Sequence, residues 1–126
     1  MTAQLEHLNY TVANADKTAQ WMTEVFDWKI RWKGAAKGDG YSIHVGTDDR
    51  YVALYTAAKV NAGKEDSYTT AGGLNHVAVT VEDLKAIEDR ARAQGFRVGE
   101  HYDYEPGLRF YFYDDDGIEY EVVQYD

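Results

Sequence analysis

The sequence contains no cysteine and a single proline. Without cysteine there is no disulfide, no thiol nucleophile and no thiolate ligand, so any metal must be held by nitrogen and oxygen donors. Basic side chains are scarce. There are 13 Lys and Arg against 22 Asp and Glu, a formal net charge of −9. That balance argues against nucleic acid and anionic membrane surfaces as partners. No apolar run approaches the roughly 20 residues of a membrane-spanning helix. No basic stretch followed by an apolar core opens the chain, so no secretory leader is expected, and the expected location is the cytoplasm. What is abundant is aromatic: 11 of the 126 residues are Tyr. A chain of this length is expected to form one domain, residues 1–126, with a real core.

The sequence is organised around residues 74–81, Leu74-Asn75-His76-Val77-Ala78-Val79-Thr80-Val81. Its period of two puts Val77, Val79 and Val81 on one face and His76, Ala78 and Thr80 on the other. The valine face belongs against a core, and the histidine face suits a lined cavity. Residues 5–12, Leu5-Glu6-His7-Leu8-Asn9-Tyr10-Thr11-Val12, repeat the pattern, with His7 and His76 standing 69 residues apart. Past them, Asp27-Trp28-Lys29-Ile30 matches Gly95-Phe96-Arg97-Val98 at an offset of 68, and so do 46–54 and 114–122. One supersecondary unit is therefore duplicated.

Each unit reads as strand, helix and three strands. Asn14 or Asp16 caps the first helix, which ends near Phe26 with Ala19 and Met22 inward. Residues 34–40 read as a mobile loop between strands two and three. Residues 57–73, rich in small and polar side chains, join units spanning about 1–56 and 74–126. In the second unit Asp83 caps the helix and Leu84, Ile87 and Ala91 face inward. Lys85, Glu88, Asp89 and Arg92 face solvent, and Gly95 ends the helix. Residues 100–107 read as a loop carrying His101. The expected fold class is α+β. Two tandem βαβββ units form a curved eight-stranded mixed sheet with helices on its outer face.

If the units share one curved sheet, four positions meet on its floor: His7, residue 53, His76 and Glu121. Residue 53 is Ala, so three ligands are supplied. Two imidazoles and a carboxylate form the facial triad, which binds Fe(II) or Mn(II) and leaves open positions; Zn(II) and Ni(II) also accept these donors.

Gly73-Leu74-Asn75-His76-Val77-Ala78-Val79 and Tyr111-Phe112-Tyr113-Asp114-Asp115-Asp116-Gly117, continuing through Glu121, carry a resemblance. The chain resembles the vicinal oxygen chelate superfamily, which includes glyoxalase I, fosfomycin-resistance enzymes, bleomycin-resistance proteins and extradiol dioxygenases. The resemblance covers nearly the whole chain. It implies His7, His76 and Glu121 as ligands of one divalent metal ion, a small-molecule substrate and a homodimer. In place of the usual Asp-Pro-Asp-Gly turn, Asp115 replaces Pro. Ala53 stands where glyoxalase I has a carboxylate, so the pattern is closer to extradiol dioxygenases and fosfomycin transferases. The extradiol likeness makes Tyr111 a catalytic pocket residue, the alternative being an edge tyrosine. Arg109 and Tyr113 share its face and, with Asn9, Ala53 and Tyr55, are expected to line the substrate. His101 is expected either to act as acid or base over the pocket or to lie at the surface, and His44 to be structural on the outer parity of strand three.

Two functions follow. One is a metal-dependent enzyme, dioxygenase-like or glyoxalase-like, that chelates vicinal oxygens of a small, aromatic-compatible substrate. The other is a metal-free module of the bleomycin-resistance type that sequesters its ligand.

Overall fold

The computed structural model describes residues 1–63, 65–104 and 107–125, the side chain of Tyr104 excepted. Pro106 lies outside the described residues. The chain divides into two compact units, Met1–Gly63 and Lys64–Asp126. In the first, β1 (His7–Thr11) leads to α1 (Ala15–Phe26), then β2 (Lys29–Ala36), β3 (Gly40–Gly46) and β4 (Tyr51–Thr56). In the second, β5 (His76–Thr80) leads to α2 (Leu84–Ala93), then β6 (Arg97–Tyr104), β7 (Gly107–Tyr113) and β8 (Glu119–Tyr125). Hydrogen bonding groups the strands as two four-stranded sheets, ordered β1-β4-β3-β2 and β5-β8-β7-β6. The first strand of each unit runs parallel to the last, and the other pairs are antiparallel. This is the α+β fold of two βαβββ units.

The duplication holds to single residues. In β1 and β4, His7 pairs with Tyr51 and Asn9 with Ala53. In β5 and β8, His76 pairs with Glu119 and Ala78 with Glu121. The helix starts repeat too. Asn14 caps α1 by accepting from Lys17 N, and Asp83 caps α2 by accepting from Ala86 N. A cap of this kind contributes about 1 kcal/mol by satisfying an orphan amide. The next amide, Ala15 N, donates to Thr56 Oγ1 at 2.9 Å, and its counterpart Leu84 N donates to Gln124 Oε1 at 2.9 Å. Thr56 and Gln124 are 68 residues apart and tie each helix to the end of its unit's last strand.

Each helix covers one face of its own sheet. Between α1 and its sheet, Met22 and Val25 of the helix and Val12, Ile43, Val45 and Leu54 beneath it are all essentially inaccessible. Under α2 lie Phe110, Phe112, Tyr120 and Val122. Phe112 stacks on Tyr120 with centroids 5.3 Å apart and on Phe96 at 5.9 Å. Full burial of such a side chain contributes about 1.5–3 kcal/mol, so these faces fix which parity is left open.

Three expectations need correction. Residues 34–40 are not a free loop. β2 continues to Ala36, a 3-10 turn spans Lys37–Asp39, and Ala36 pairs with Gly40. Tyr55 closes this hairpin by donating its hydroxyl to Lys37 O, and its ring occupies the space that a Cβ on Gly40 would need. Residues 100–104 likewise belong to β6. Glu88, expected in solvent, is 8% exposed because its carboxylate accepts from Arg92 and contacts His101.

Candidate metal and substrate site

The register of the second sheet decides what its open face carries. Glu121 lies beside Ala78 on one side and Tyr111 on the other; Glu119 lies beside His76 and Tyr113. The alternate residues Val77, Tyr120, Val122, Phe110 and Phe112 pair with one another on the helix side. The open face is therefore polar and aromatic by parity alone.

On that face His76 stands between two carboxylates. Its Nε2 is 3.1 Å from Glu121 Oε1, and its Nδ1 is 3.2 Å from Glu119 Oε2. Arg109 Nη1 donates to the other Glu121 oxygen, Oε2, at 2.8 Å. Glu119 also accepts from Tyr113 at 3.0 Å and from the hydroxyl of Tyr68, which lies 3.2 Å from His76 Nδ1. The bond to Glu119, with burial second, pushes the Tyr68 hydroxyl up to about 12. Burial, then the Glu119 bond, raises Tyr113 as well. Tyr111 meets His76 edge-on at 6.0 Å. Beside them opens a cavity of about 560 Å³ lined by Tyr68, Tyr102, Tyr111, Tyr113, Arg97 and Glu119, among others. The Arg97 guanidinium sits 3.8 Å over the Tyr113 ring.

The open face of the first sheet carries the equivalent histidine in a different setting. His7 Nδ1 is 2.9 Å from Glu6 Oε1. The His7 ring stacks on Tyr51 at 4.8 Å, Tyr51 on His44 at 4.7 Å, and Trp32 tilts against His44 at 5.0 Å. Arg31 lies 4.3 Å over Tyr51. His44 thus shares the face of His7 and Ala53, contrary to expectation, because Ile43 and Val45 take the helix side. Burial, then the neighbouring His7 and Arg31, lowers the His44 imidazole below its ordinary range. Asn9 and Ala53 are cross-strand partners here, Ala53 buried and Asn9 exposed.

As they stand, His76 Nε2 and Glu121 Oε1 are within ion-pair distance, a separation comparable with that of two donors on one ion. Two atoms each about 2.0–2.2 Å from one ion stand about 3 Å apart when their bonds meet near a right angle. Nε2 of His76 and Oε1 of Glu121 have that separation. Among the described residues no three His, Asp or Glu side chains converge into a complete metal site. His7 belongs to the other unit.

Two expected site residues have other surroundings. His101 is on β6, not a loop, and it faces α2. Its Nε2 lies 2.9 Å from Glu88 Oε1, and its ring stacks on Phe110 at 5.6 Å. The cause is a bulge. Val98 pairs with Phe112 and His101 with Phe110, so one extra residue on β6 reverses the parity. Tyr55, expected at the substrate, has its hydroxyl on Lys37 O. Sequence reasoning missed Tyr68 and the role of Glu119. Glu119 shares the parity of Glu121, which is a usable signal; Tyr68 sits in the aperiodic 57–73 segment, which gave none.

A family model described as Glyoxalase/Bleomycin resistance protein/Dioxygenase superfamily matches residues 4–122. The chain is 27% identical over 126 residues to a lactoylglutathione lyase of Arabidopsis thaliana, covering 94% of this chain and 43% of that protein. It therefore spans less than half the length of that relative. A glyoxylase/bleomycin resistance protein/dioxygenase domain from Frankia sp. EAN1pec matches with a TM-score of 0.84 at 23% identity over 100% of both chains. A glyoxalase I mutant from Zea mays gives 0.77 at 19% identity, over 95% of this chain and 44% of that one. The fosfomycin resistance protein FosX from Mesorhizobium loti gives 0.72 at 23% identity, over 98% and 92%. These structural likenesses bear on the fold. No helix among the described residues is long and apolar enough to cross a membrane.

Proposed function

Because the chain belongs to the Glyoxalase/Bleomycin resistance protein/Dioxygenase superfamily, we propose that it is a divalent-metal-dependent enzyme acting on a small molecule with two vicinal oxygens. The observation that carries this reading is the approach of His76 Nε2 to Glu121 Oε1 at 3.1 Å on adjacent parallel strands. His76 and Glu121 hold the ion, and His7, the equivalent residue of the first unit, is the third ligand. Fe(II) or Mn(II) suits two imidazoles and one carboxylate, and Zn(II) or Ni(II) is accepted. A bound divalent ion would supply Lewis-acid polarisation of a substrate oxygen.

The remaining work falls to this chain's own side chains. Arg109 holds Oε2 of Glu121 and so directs Oε1 towards His76. Tyr111, cross-strand from Glu121, lines the cavity and hydrogen-bonds the substrate. Tyr68, Tyr102 and Tyr113 give the same cavity aromatic walls, which favour a substrate with a planar ring. Dioxygenase-like and glyoxalase-like reactions both fit this substrate geometry. Ala53, the counterpart of Glu121, provides no fourth carboxylate, which weighs against the glyoxalase type.

Calorimetric titration of untagged, chelator-stripped protein with Mn(II) and Zn(II) tests the reading. The parent is expected to bind one ion per chain. His7→Ala, His76→Ala and Glu121→Ala are each expected to weaken binding at least a hundredfold. His7→Ala and His76→Ala should cost little stability, because both side chains are at least partly exposed and leave no packed cavity; Glu121→Ala should cost more, because that carboxylate is buried and pairs with Arg109. If all three variants bind like the parent, the ligand assignment is wrong. A second reading, a metal-free binding module, is favoured by the Arg109–Glu121 pair, which already meets the carboxylate charge. It replaces the first if the parent binds no ion.

A further inference from the structure

We propose that Arg97 is a specificity-determining residue that anchors a carboxylate on the ligand, so that the molecule this cavity takes is an arene carboxylate, a planar ring with one negative charge. The ring's vicinal oxygens rest on the metal reading above; the carboxylate anchor stands on the cavity alone.

Arg97 ends a row of cross-strand partners on the open face of the second sheet. It pairs with Tyr113, Tyr113 with Glu119 and Glu119 with His76. Three strand spacings of about 4.8 Å separate β6 from β5. Arg97 therefore acts at the opposite end of the ligand from the His76–Glu121 pair. Its guanidinium lies 3.8 Å over the Tyr113 ring. That stack holds the plane of the fork and leaves its N–H edge for a second planar group. Gly99, which also lines the cavity, keeps room beside the same ring, because a Cβ there would stand 3.2 Å from it.

The charges around the cavity decide the sign of that group. Arg97, Glu100 and Glu119 line it, and among the described lining residues Arg97 is the one cation. Both carboxylates are already met by hydroxyls of the cavity walls. Glu100 accepts from Tyr102, and Glu119 accepts from Tyr68 and Tyr113. Arg97 is different. Arg92 pairs with Glu88 and Arg109 with Glu121, but no carboxylate of the described residues lies within ion-pair distance of Arg97. A guanidinium presents a planar fork of donors and one positive charge. A carboxylate matches both, whereas a phosphate dianion would leave one charge unmet.

Benzoate and benzamide are the probes. They share a ring and a size, they differ in charge, and neither carries vicinal oxygens. Two-dimensional NMR titration of the chelator-stripped full chain at pH 7.5 reads both affinity and place. Benzoate is expected to bind about tenfold more tightly than benzamide and to shift the amides of Gly99, Tyr111 and Tyr113. Arg97→Gln should erase the preference. Arg97→Lys, which keeps the charge without the fork, should restore only part of it. Arg97 is exposed, so both variants are expected to fold. Equal affinities, no binding of benzoate, binding that leaves these amides unmoved, or a preference that survives Arg97→Gln overturns the proposal. The metal reading fails separately. If benzoate shows the Arg97-dependent preference, but a dihydroxybenzoate with adjacent hydroxyls gains no affinity over it when Mn(II) is added, the carboxylate anchor stands and the metal reading falls.

Discussion

Asp114 is the residue whose setting most directly predicts a pH response. It opens the β7–β8 turn, where Oδ1 accepts from the amides of Asp116 and Ile118 at 3.0 Å each, and the Tyr120 hydroxyl donates to Oδ2 at 3.3 Å. Burial outweighs these bonds and pushes its carboxyl from 3.8 up to about 6. The folded state therefore holds a proton that the unfolded chain has released. The stability this group adds is complete below about pH 3.8 and lost as pH rises through about 6. Asp114→Asn keeps the Oδ1 acceptor and cannot ionise. Its stability relative to the parent should improve by about 2–3 kcal/mol between pH 4 and pH 7.5. Urea unfolding at both pH values checks this, and a gap that stays constant across the range would show that Asp114 is not held neutral. The turn was legible in the sequence as an acidic run ending in glycine. Which of its carboxylates is buried was not, because burial depends on Tyr120 arriving from the next strand.

The elements were legible where packing and pattern agree and illegible where a bulge intervenes. Both histidine strands and the parity of Glu121 follow from alternation, because a strand with one buried face cannot slip by one residue without exposing its core; the helix caps follow from Asn14 and Asp83, whose side chains accept from first-turn amides. The bulges are the exceptions. Register shifts after Ile30 in β2 and after Val98 in β6, again 68 residues apart, reverse the parity beyond them. That is why His101 is on the α2 side and why Glu88 is buried beneath it. Burial alone would raise Glu88, but hydrogen bonds with His101 and Arg92 hold its carboxyl below the ordinary value. A carboxyl lowered in this way adds stability above its unfolded value of 4.5 that is lost as pH falls through the folded value. His101→Ala should therefore cost about 1–2 kcal/mol at pH 6, through the lost bond to a charged partner. It should leave Zn(II) affinity unchanged. Unfolding and metal titration of this one variant separate the two roles, and a tenfold loss of affinity would return His101 to the metal-binding face.

At the scale of the molecule, the first sheet ends in an edge strand, β2, whose Ile30 and Trp32 are largely exposed. Leu108 and Tyr102 are exposed on the second sheet. Apolar edges of this kind call for cover, and the family resemblance implies a twofold homodimer. Light scattering at micromolar concentration is expected to give twice the chain mass of 14.3 kDa; a value at the monomer mass would count against it. The duplication explains why the equivalence of the two histidine strands could be read in advance. Equivalent strands place His7 and His76 alike, while Tyr51 and Ala53 stand where the second unit has Glu119 and Glu121. At these positions one half of the duplicated frame is aromatic and the other acidic, and in the acidic half both ring nitrogens of His76 meet carboxylates. The most direct test is anomalous diffraction from crystals of the full chain grown with Mn(II). The account predicts one manganese peak bonded to His76 Nε2, Glu121 Oε1 and a ring nitrogen of His7. No peak between Nε2 and Oε1, with His76 still against Glu121 and Arg109 still on its other oxygen, would contradict it.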